Sequence, residues 1–464
     1  LVVATSPQLA AFSLRGCLPY PTIILQQLKA NDSSIHLGLE TSSWIGSIYG
    51  FASIPVILMP ILMQSKGRRF AYIVTCLFVI IGWILSLSAT NIGMILASES
   101  FHGLGTNSLL PVSFLSLTEM LAPKYRYISM QLFGVSMAVG VATAGILGRF
   151  IHYKTVSSIM LVPIVIAVVL AFFWPESPPW FACKGDFEKC KKAFLWLRGS
   201  DEQSIIELKE LITAQRQNLA RAKPKKFTWQ RFWRKITSRD FYIPSFHIFV
   251  LLNMLYWSGV DVTLIYFIEM VEKSTQNKDA IFYASILMYA IVLIGAIITN
   301  VTVRKFENKK VLLLSTSGVI LCLIGACSAT YLQSKELLPK DSLLCLYFLI
   351  GYIICCSLGL NAVVFFIAAE LMPVKHRSIG GALYIICNCG LYASTLKIST
   401  YLFLYINMWG TFLVYTINAL LCSLFVWKCV PETKGRTLQE IEDFYMYGSY
   451  RKRDLTEDNV LLGN

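Results

Sequence analysis

The stretch TEMLAPKYR, Thr118–Arg126, returns in altered form as AELMPVKHR, Ala369–Arg377. Each copy holds a Glu, an apolar pair, a Pro and a basic cluster ending in Arg. Glu119 precedes Arg126 by the same interval as Glu370 precedes Arg377. The copies lie about 250 residues apart, roughly half the chain, which points to a duplicated unit. A second echo agrees: Pro175-Glu176-Ser177 follows the first copy much as Pro431-Glu432-Thr433 follows the second. Two pairs in one order and at nearly one offset make chance a poor explanation.

Composition says what kind of unit is duplicated. The 464 residues are 55% hydrophobic and the mean hydropathy is +0.59, well above a soluble globular protein. Apolar runs of about twenty residues, long enough to cross a bilayer, recur throughout. The chain reads as an all-α polytopic membrane protein. Its 13 cysteines fall mostly inside these runs, where they act as small apolar packing residues. No CxxC or Cys/His spacing suggests a metal site, and no cofactor is expected. The net charge of +14 is assigned to basic cytoplasmic loops and not to nucleic acid. No nucleophile–base pair or phosphate loop argues for an enzyme.

Hydropathy gives about twelve spans, six on each side of a long polar segment. The first six fall near Leu1–Leu28, Trp44–Met63, Phe70–Ala89, Ile92–Leu117, Tyr127–Gly148 and Ser157–Trp174. The second six fall near Phe241–Met270, Ile281–Val303, Val311–Tyr331, Leu343–Ala369, Ser378–Thr400 and Met408–Trp427. The expected organisation is an N-terminal half (1–174), a cytoplasmic linker (175–240), a C-terminal half (241–430) and a cytoplasmic tail (431–464). Basic clusters alternate with short or mixed loops, which puts both termini in the cytoplasm. The sequon at Asn31 then faces outside as a candidate glycosylation site. The first residue is not Met and the first span begins at once, so an N-terminal tail is expected to precede it. Within the linker, Asp186–Leu197 and Ile205–Leu219 show helical apolar spacing and predict short surface helices. The run Lys223–Arg239 reads either as a segment lying at an anionic inner leaflet or as a solvated connector.

Two homologous halves joined by a cytoplasmic linker fit a carrier whose halves rock around a midplane site. Arg68, Arg69, Glu119, Arg126, Glu176, Glu370, Arg377 and Glu432 fall at cytoplasmic helix ends. There they are candidates for a gate, pairing across the halves when the inner side is shut; the bland alternative is that they cap helices and anchor loops.

These motifs carry a resemblance. The chain resembles the sugar porters of the major facilitator superfamily, and most closely the insect facilitated trehalose and glucose transporter-like group. Ser43-Trp44-Ile45-Gly46 looks like the family's opening of span two, and Gly67-Arg68-Arg69 like its loop 2–3 motif. Pro175-Glu176-Ser177-Pro178 with Trp180 is similar to the signature after span six. Pro431-Glu432-Thr433-Lys434-Gly435 with Leu438 and Ile441 is similar to the one after span twelve. Leu195-Trp196-Leu197-Arg198-Gly199 resembles a segment of the insect members. The resemblance implies twelve helices in two pseudo-symmetric halves and a facilitative carrier of a small polar solute, most simply trehalose or a hexose, with that solute and the bilayer as its partners.

The chain also departs from the pattern. The loop 2–3 Asp is Gln64, and loop 8–9 reads Glu307-Asn308-Lys309. The Arg of the first signature is Pro179. The family's span-five Gln falls at Gly134, its span-seven Gln pair at Leu255-Tyr256, and its span-ten Gly-Pro-x-Pro-Trp at Asn361–Phe365. Hexose binding needs several amides and stacking faces. The remaining candidates for substrate contact are Gln131, Tyr256, Asp261, Asn361, Phe365 and Asn388. Two intramembrane charges, Arg15 and Glu99, either pair structurally with each other or contact substrate or ion. Proton-coupled symport, with Glu99 or Asp261 as the carrier group, and a non-transporting solute sensor stand as alternatives to facilitated transport.

Overall fold

The structure is a computed structural model. It describes residues 2–30, 38–221, 233–234, 236–275, 278–339, 342–371, 377–434 and 444–445. In hydrocarbon every backbone N–H and C=O must be satisfied within the chain, so each apolar run closes its hydrogen bonds as a helix. The first half holds α1 (Val2–Gly16) and α2 (Tyr20–Ala30), which form one broken span. The second span is α3 (Leu39–Ala52), a 3-10 turn at Ile54–Leu58, and α4 (Met59–Lys66). Four longer helices follow: α5 (Arg68–Leu87), α6 (Ile92–Met120), α7 (Pro123–Phe150) and α8 (Tyr153–Ala171). The second half repeats the plan. α12 (Arg239–Tyr256) and α13 (Val260–Ser274) form a broken span. α14 (Lys278–Lys305) and α15 (Asn308–Ser334) come next. α16 (Leu344–Cys355) continues through a π turn at Cys356–Leu360 into α17 (Asn361–Leu371). α18 (Arg377–Tyr405) and α19 (Asn407–Cys429) complete the set.

That makes twelve spans among the described residues. Ten of them are long and apolar enough by composition to cross a membrane. The others are the broken α1–α2 span and α6, whose 29 residues reach about 43 Å but carry Glu99, His102 and Asn107.

Packing repeats with the topology. Span three packs on spans four and six, and span nine packs on spans ten and twelve. Between the halves the main contacts are α3 with α18 and α7 with α14, with α2 touching α13. The linker folds as α9 (Pro178–Cys183), α10 (Phe187–Arg198) and α11 (Glu202–Arg221). The latter two lie where helical spacing placed them. α9 was not foreseen; Ala182 from it joins Cys190, Phe194 and Leu208 in a small separate core. Arg198 pairs with Glu207 across this subdomain and donates to the Leu121 carbonyl at 3.4 Å, tying it to the α6–α7 turn.

The end of the bundle carrying α9–α11 is the linker end; the other is the distal end. Among the described residues the hydrogen bonds that join the halves lie toward the distal end, while one ring pair, Tyr49 with Tyr392, joins them nearer the middle. Thr22 Oγ1 donates to the Leu264 carbonyl, Tyr266 Oη to the Ser42 carbonyl, and Lys397 Nζ to Ser43 Oγ. Phe150 stacks edge-on against Phe282 with centroids 5.6 Å apart.

Candidate functional site

Two helix breaks position the central site. Span one stops at Gly16 and restarts at Tyr20, because Pro19 has no N–H to continue the ladder. Span seven stops at Tyr256 and restarts at Val260 through Gly259, whose φ is +87°. A Cβ there would sit 2.5 Å from the Tyr415 ring, so this turn requires glycine on both counts. The freed Ser258 carbonyl accepts a 2.9 Å bond from Tyr352 Oη. Arg15 thus ends α1, and Asp261 opens α13 in its first turn. A cation at a helix C-terminus and an anion at an N-terminus each gain about 0.3–1 kcal/mol from the helix dipole. The breaks therefore both hold and stabilise the two charges. They come from opposite halves, both are half-buried, and the guanidinium's field reaches the carboxylate.

Tyrosines surround them. Tyr256 Oη donates to Asn388 Oδ1 at 2.7 Å. Its ring meets Tyr392 edge-on at 5.8 Å, and Tyr392 lies 5.4 Å from Tyr49 of the other half. The structure so brings together Tyr256, Asp261, Asn388 and Arg15. It also adds Tyr49 and Tyr392, which sequence reasoning missed; the available signal was that Asn388 and Tyr392 are four apart, on one face of α18. Asn361 opens α17 just past the π turn and is half-buried, with Phe365 one turn on, packed against the core. The widened turn is held by Ser315, which donates to the Cys355 carbonyl and accepts from the Leu360 N–H. Gln131 is half-buried on α7 and makes no hydrogen bond to the tyrosine group. The arrangement offers a hydroxyl-bearing solute the Asn388 amide N–H groups, aromatic faces and one group of each charge.

Glu99 does not pair with Arg15. Its Oε1 lies 3.4 Å from His102 Nδ1, and both residues are fully buried. His102 is wedged between Trp83, at 4.4 Å, and Tyr20, at 6.0 Å, with its ring over Gly82. Glu99 Oε2, His102 Nε2 and the nearby Thr106 Oγ1 have no hydrogen-bond partner. The expectation of an Arg15–Glu99 pair is thus corrected, because a neighbour at i+3 on α6 meets the carboxylate first.

At the linker end the duplicated charges build one device twice. Glu176 accepts from the backbone N–H groups of Arg68, at 2.7 Å, and Arg69, capping α5. Arg69 reaches back to the Trp174 and Phe172 carbonyls, closing the end of α8. In the second half Glu432 accepts from the Lys309 N–H at 3.0 Å, and Lys309 Nζ donates to the Val430 carbonyl. Arg68 then grips Glu119 with two 2.9 Å bonds, and Ser177 adds a third. Its counterpart is a 3.5 Å contact from Asn308 to Glu370. Among the described residues, Arg126 donates only to the Leu121 carbonyl at 3.5 Å and leaves Nε unpartnered. Asn31 and the Arg377 side chain lie outside the described residues.

Comparison with known proteins places this geometry. The model for the family "Sugar (and other) transporter" matches residues 20–445. Among curated relatives, the facilitated trehalose transporter Tret1 of Apis mellifera ligustica is 25% identical over 449 residues, covering 95% of this chain and 87% of its own. The sugar transporter ERD6-like 2 of Arabidopsis thaliana is 24% identical, covering 81% of this chain and 79% of its own. Among solved structures, the inward-open conformation of the xylose transporter XylE from E. coli superposes with a TM-score of 0.74. It is 15% identical and covers 95% of this chain and 98% of that one. That likeness shows the fold.

Proposed function

The chain belongs to the sugar (and other) transporter family, and from that premise we propose that it moves trehalose or a hexose by facilitated alternating access. The observation that carries the reading is the pair of broken helices at the seam of the two halves. They leave Arg15 at the end of α1 and Asp261 in the first turn of α13, one charge from each half, close enough for the guanidinium's field to reach the carboxylate. Discontinuous helices meeting at a repeat interface are how carriers build a midplane site. The halves are joined at the distal end, so this state faces the linker end.

The orientation is part of the proposal. Basic loops put the linker end and both termini in the cytoplasm, with the plasma membrane as the site of action. Residues 1–174 and 241–430 act as the two rocking bodies, 175–240 as the linker and 431–464 as the tail. Of the duplicated charges at the linker end, Arg126 and Glu370 act as the inner gate while Arg68, Glu119, Glu176 and Glu432 brace helix ends within their own halves; Asn361, Phe365 and Gln131 take part in solute contact.

A second reading, proton-coupled symport, is favoured by the buried Glu99–His102 pair. Proteoliposome flux separates these ideas. Labelled trehalose or glucose is expected to equilibrate and to show counterflow, with uptake unaffected by an imposed pH gradient. A gradient-driven accumulation selects symport, and binding without flux selects a sensor. A cysteine introduced at Lys189 is expected to label only from the cytoplasmic side; labelling from outside would reverse the orientation.

A further inference from the structure

Among the described residues, the seam at the distal end repeats a cation–ring contact between the halves. Lys397, on α18 of the second half, lies with Nζ 4.1 Å from the centroid of Trp44 on α3 of the first half. The same ammonium donates to Ser43 Oγ at 2.7 Å and feels the charge of Glu40. On the other side of the seam, Arg149 on α7 of the first half sits 5.4 Å above Phe282 on α14 of the second. It feels the charge of Glu272, also in the second half. Each cation therefore meets an aromatic face of the other half within the field of one of its carboxylates, and Arg149 Nη1 also donates to Gln26 Oε1 of its own half at 3.3 Å.

The duplication relates the two. Setting Arg126 against Arg377 sets Arg149 against Thr400, one helical turn from Lys397. Setting Arg68 against Asn308 sets Trp44 against Ala284, two residues from Phe282. Two cation–aromatic contacts thus stand at similar heights, though not at matching residues, on the two helix pairs, α3–α18 and α7–α14, that make most of the cross-half contact.

We propose that Lys397 on Trp44 and Arg149 on Phe282 form a pseudo-symmetric clasp that holds the distal gate shut, and that both contacts break when the carrier turns outward. This rests on alternating access but not on the identity of the solute. All four side chains are half-buried, so the cations are partly desolvated, where a ring face attracts them more strongly than at an open surface. Each contact biases the inward over the outward state by about fivefold to tenfold, and the two act together.

The test reads gate opening directly. Thr22 is buried at the α2–α13 seam, outside the clasp. Thr22→Cys in the full chain, in intact cells, is exposed to a membrane-impermeant maleimide and compared with the chain lacking that cysteine. Lys397→Gln and Trp44→Leu are each expected to raise labelling at least threefold, and Lys397→Gln with Arg149→Gln more than tenfold. Lys397→Arg and Trp44→Phe are expected to stay within twofold of the parent. Labelling unchanged in Lys397→Gln, Trp44→Leu and the double variant would overturn the clasp. Opening by Trp44→Leu without opening by Lys397→Gln would overturn it too, since the ring would then be packing and not binding a cation. Should Trp44→Leu fail to reach the surface, the contrast between Lys397→Gln and Lys397→Arg decides alone.

Discussion

Glu99 and His102 meet in a site sealed from solvent, with Oε1 3.4 Å from Nδ1. A polar or charged group left there without its partner is costly in low dielectric. Removing one partner of such a pair costs about 3–5 kcal/mol, and removing both with apolar replacements costs far less. Glu99→Leu and His102→Leu are therefore each expected to lower the thermal midpoint of the detergent-solubilised carrier, and the double variant to regain much of the loss. Arg15→Leu combined with Glu99→Leu is expected to be additive, since Arg15 does not reach Glu99. Equal coupling in the two cycles would mean that the three residues form one network. Counting rise per residue places Arg15 and Glu99 in the same half of the bilayer, about two turns apart in depth, but depth says nothing about which way each helix is turned. Both charges were legible as costly and intramembrane. The rotation of α6, which presents Glu99 to His102 within a cage of Trp83 and Tyr20, was set by packing that no residue count reveals.

Helix ends explain why the sequence echo survives. Four N–H groups at each helix start lack partners, and Glu176 and Glu432 supply acceptors at the starts of α5 and α15 from the chain that follows the sixth span of each half. That service fixes the residue type and its offset, so the echo was readable from sequence. The π turn at Cys356–Leu360 was not readable, because it depends on Ser315 far along the chain; the 3-10 turn at Ile54–Leu58 and helix α9 were not read either. The two clamps differ in one respect: Arg68 holds Glu119 by two charged bonds, whereas Asn308 offers Glu370 only a long neutral one. Charge-assisted bidentate bonds are about twice as strong as neutral ones. Arg68→Asn is expected to cost about 1–2 kcal/mol, with protease cleavage near the α4–α5 junction rising before any loss elsewhere. Asn308→Ala is expected to cost less than half of that. Equal costs in the two halves would show that the caps, and not the Arg68–Glu119 bonds, hold these ends.

The two ends of the whole molecule are in opposite conditions. The distal end joins the halves through Thr22, Ser43 and Tyr266, while the described charges at the linker end bond within their own halves. Twelve spans, the duplication and the linker helices were legible because hydropathy and motif offsets report them directly. Which face is shut was not, since one sequence serves both states. Some linker-end charges are fully engaged here and some are not, which sorts them by role. Arg68, Glu119 and Glu176 have their bonds, and their loss acts on stability. Among the described residues, Arg126 has one 3.5 Å bond and an unpartnered Nε, and Glu370 has one 3.5 Å contact. These two have capacity to spare for the state in which the linker end closes. A pair at a wet helix end is worth about 0–1 kcal/mol, and more when partly buried, so one such contact shifts the two populations by up to about fivefold. Arg126→Ala or Glu370→Ala is accordingly expected to favour the inward-facing state, lowering maximal flux while leaving the thermal midpoint within about a degree of the parent. External labelling at Thr22→Cys should fall in both variants, the reverse of its rise when the distal clasp is cut. Flux and labelling that match the parent in both would make these charges ordinary surface groups. A fall in thermal midpoint like that of Arg68→Asn would make them part of the static clamp.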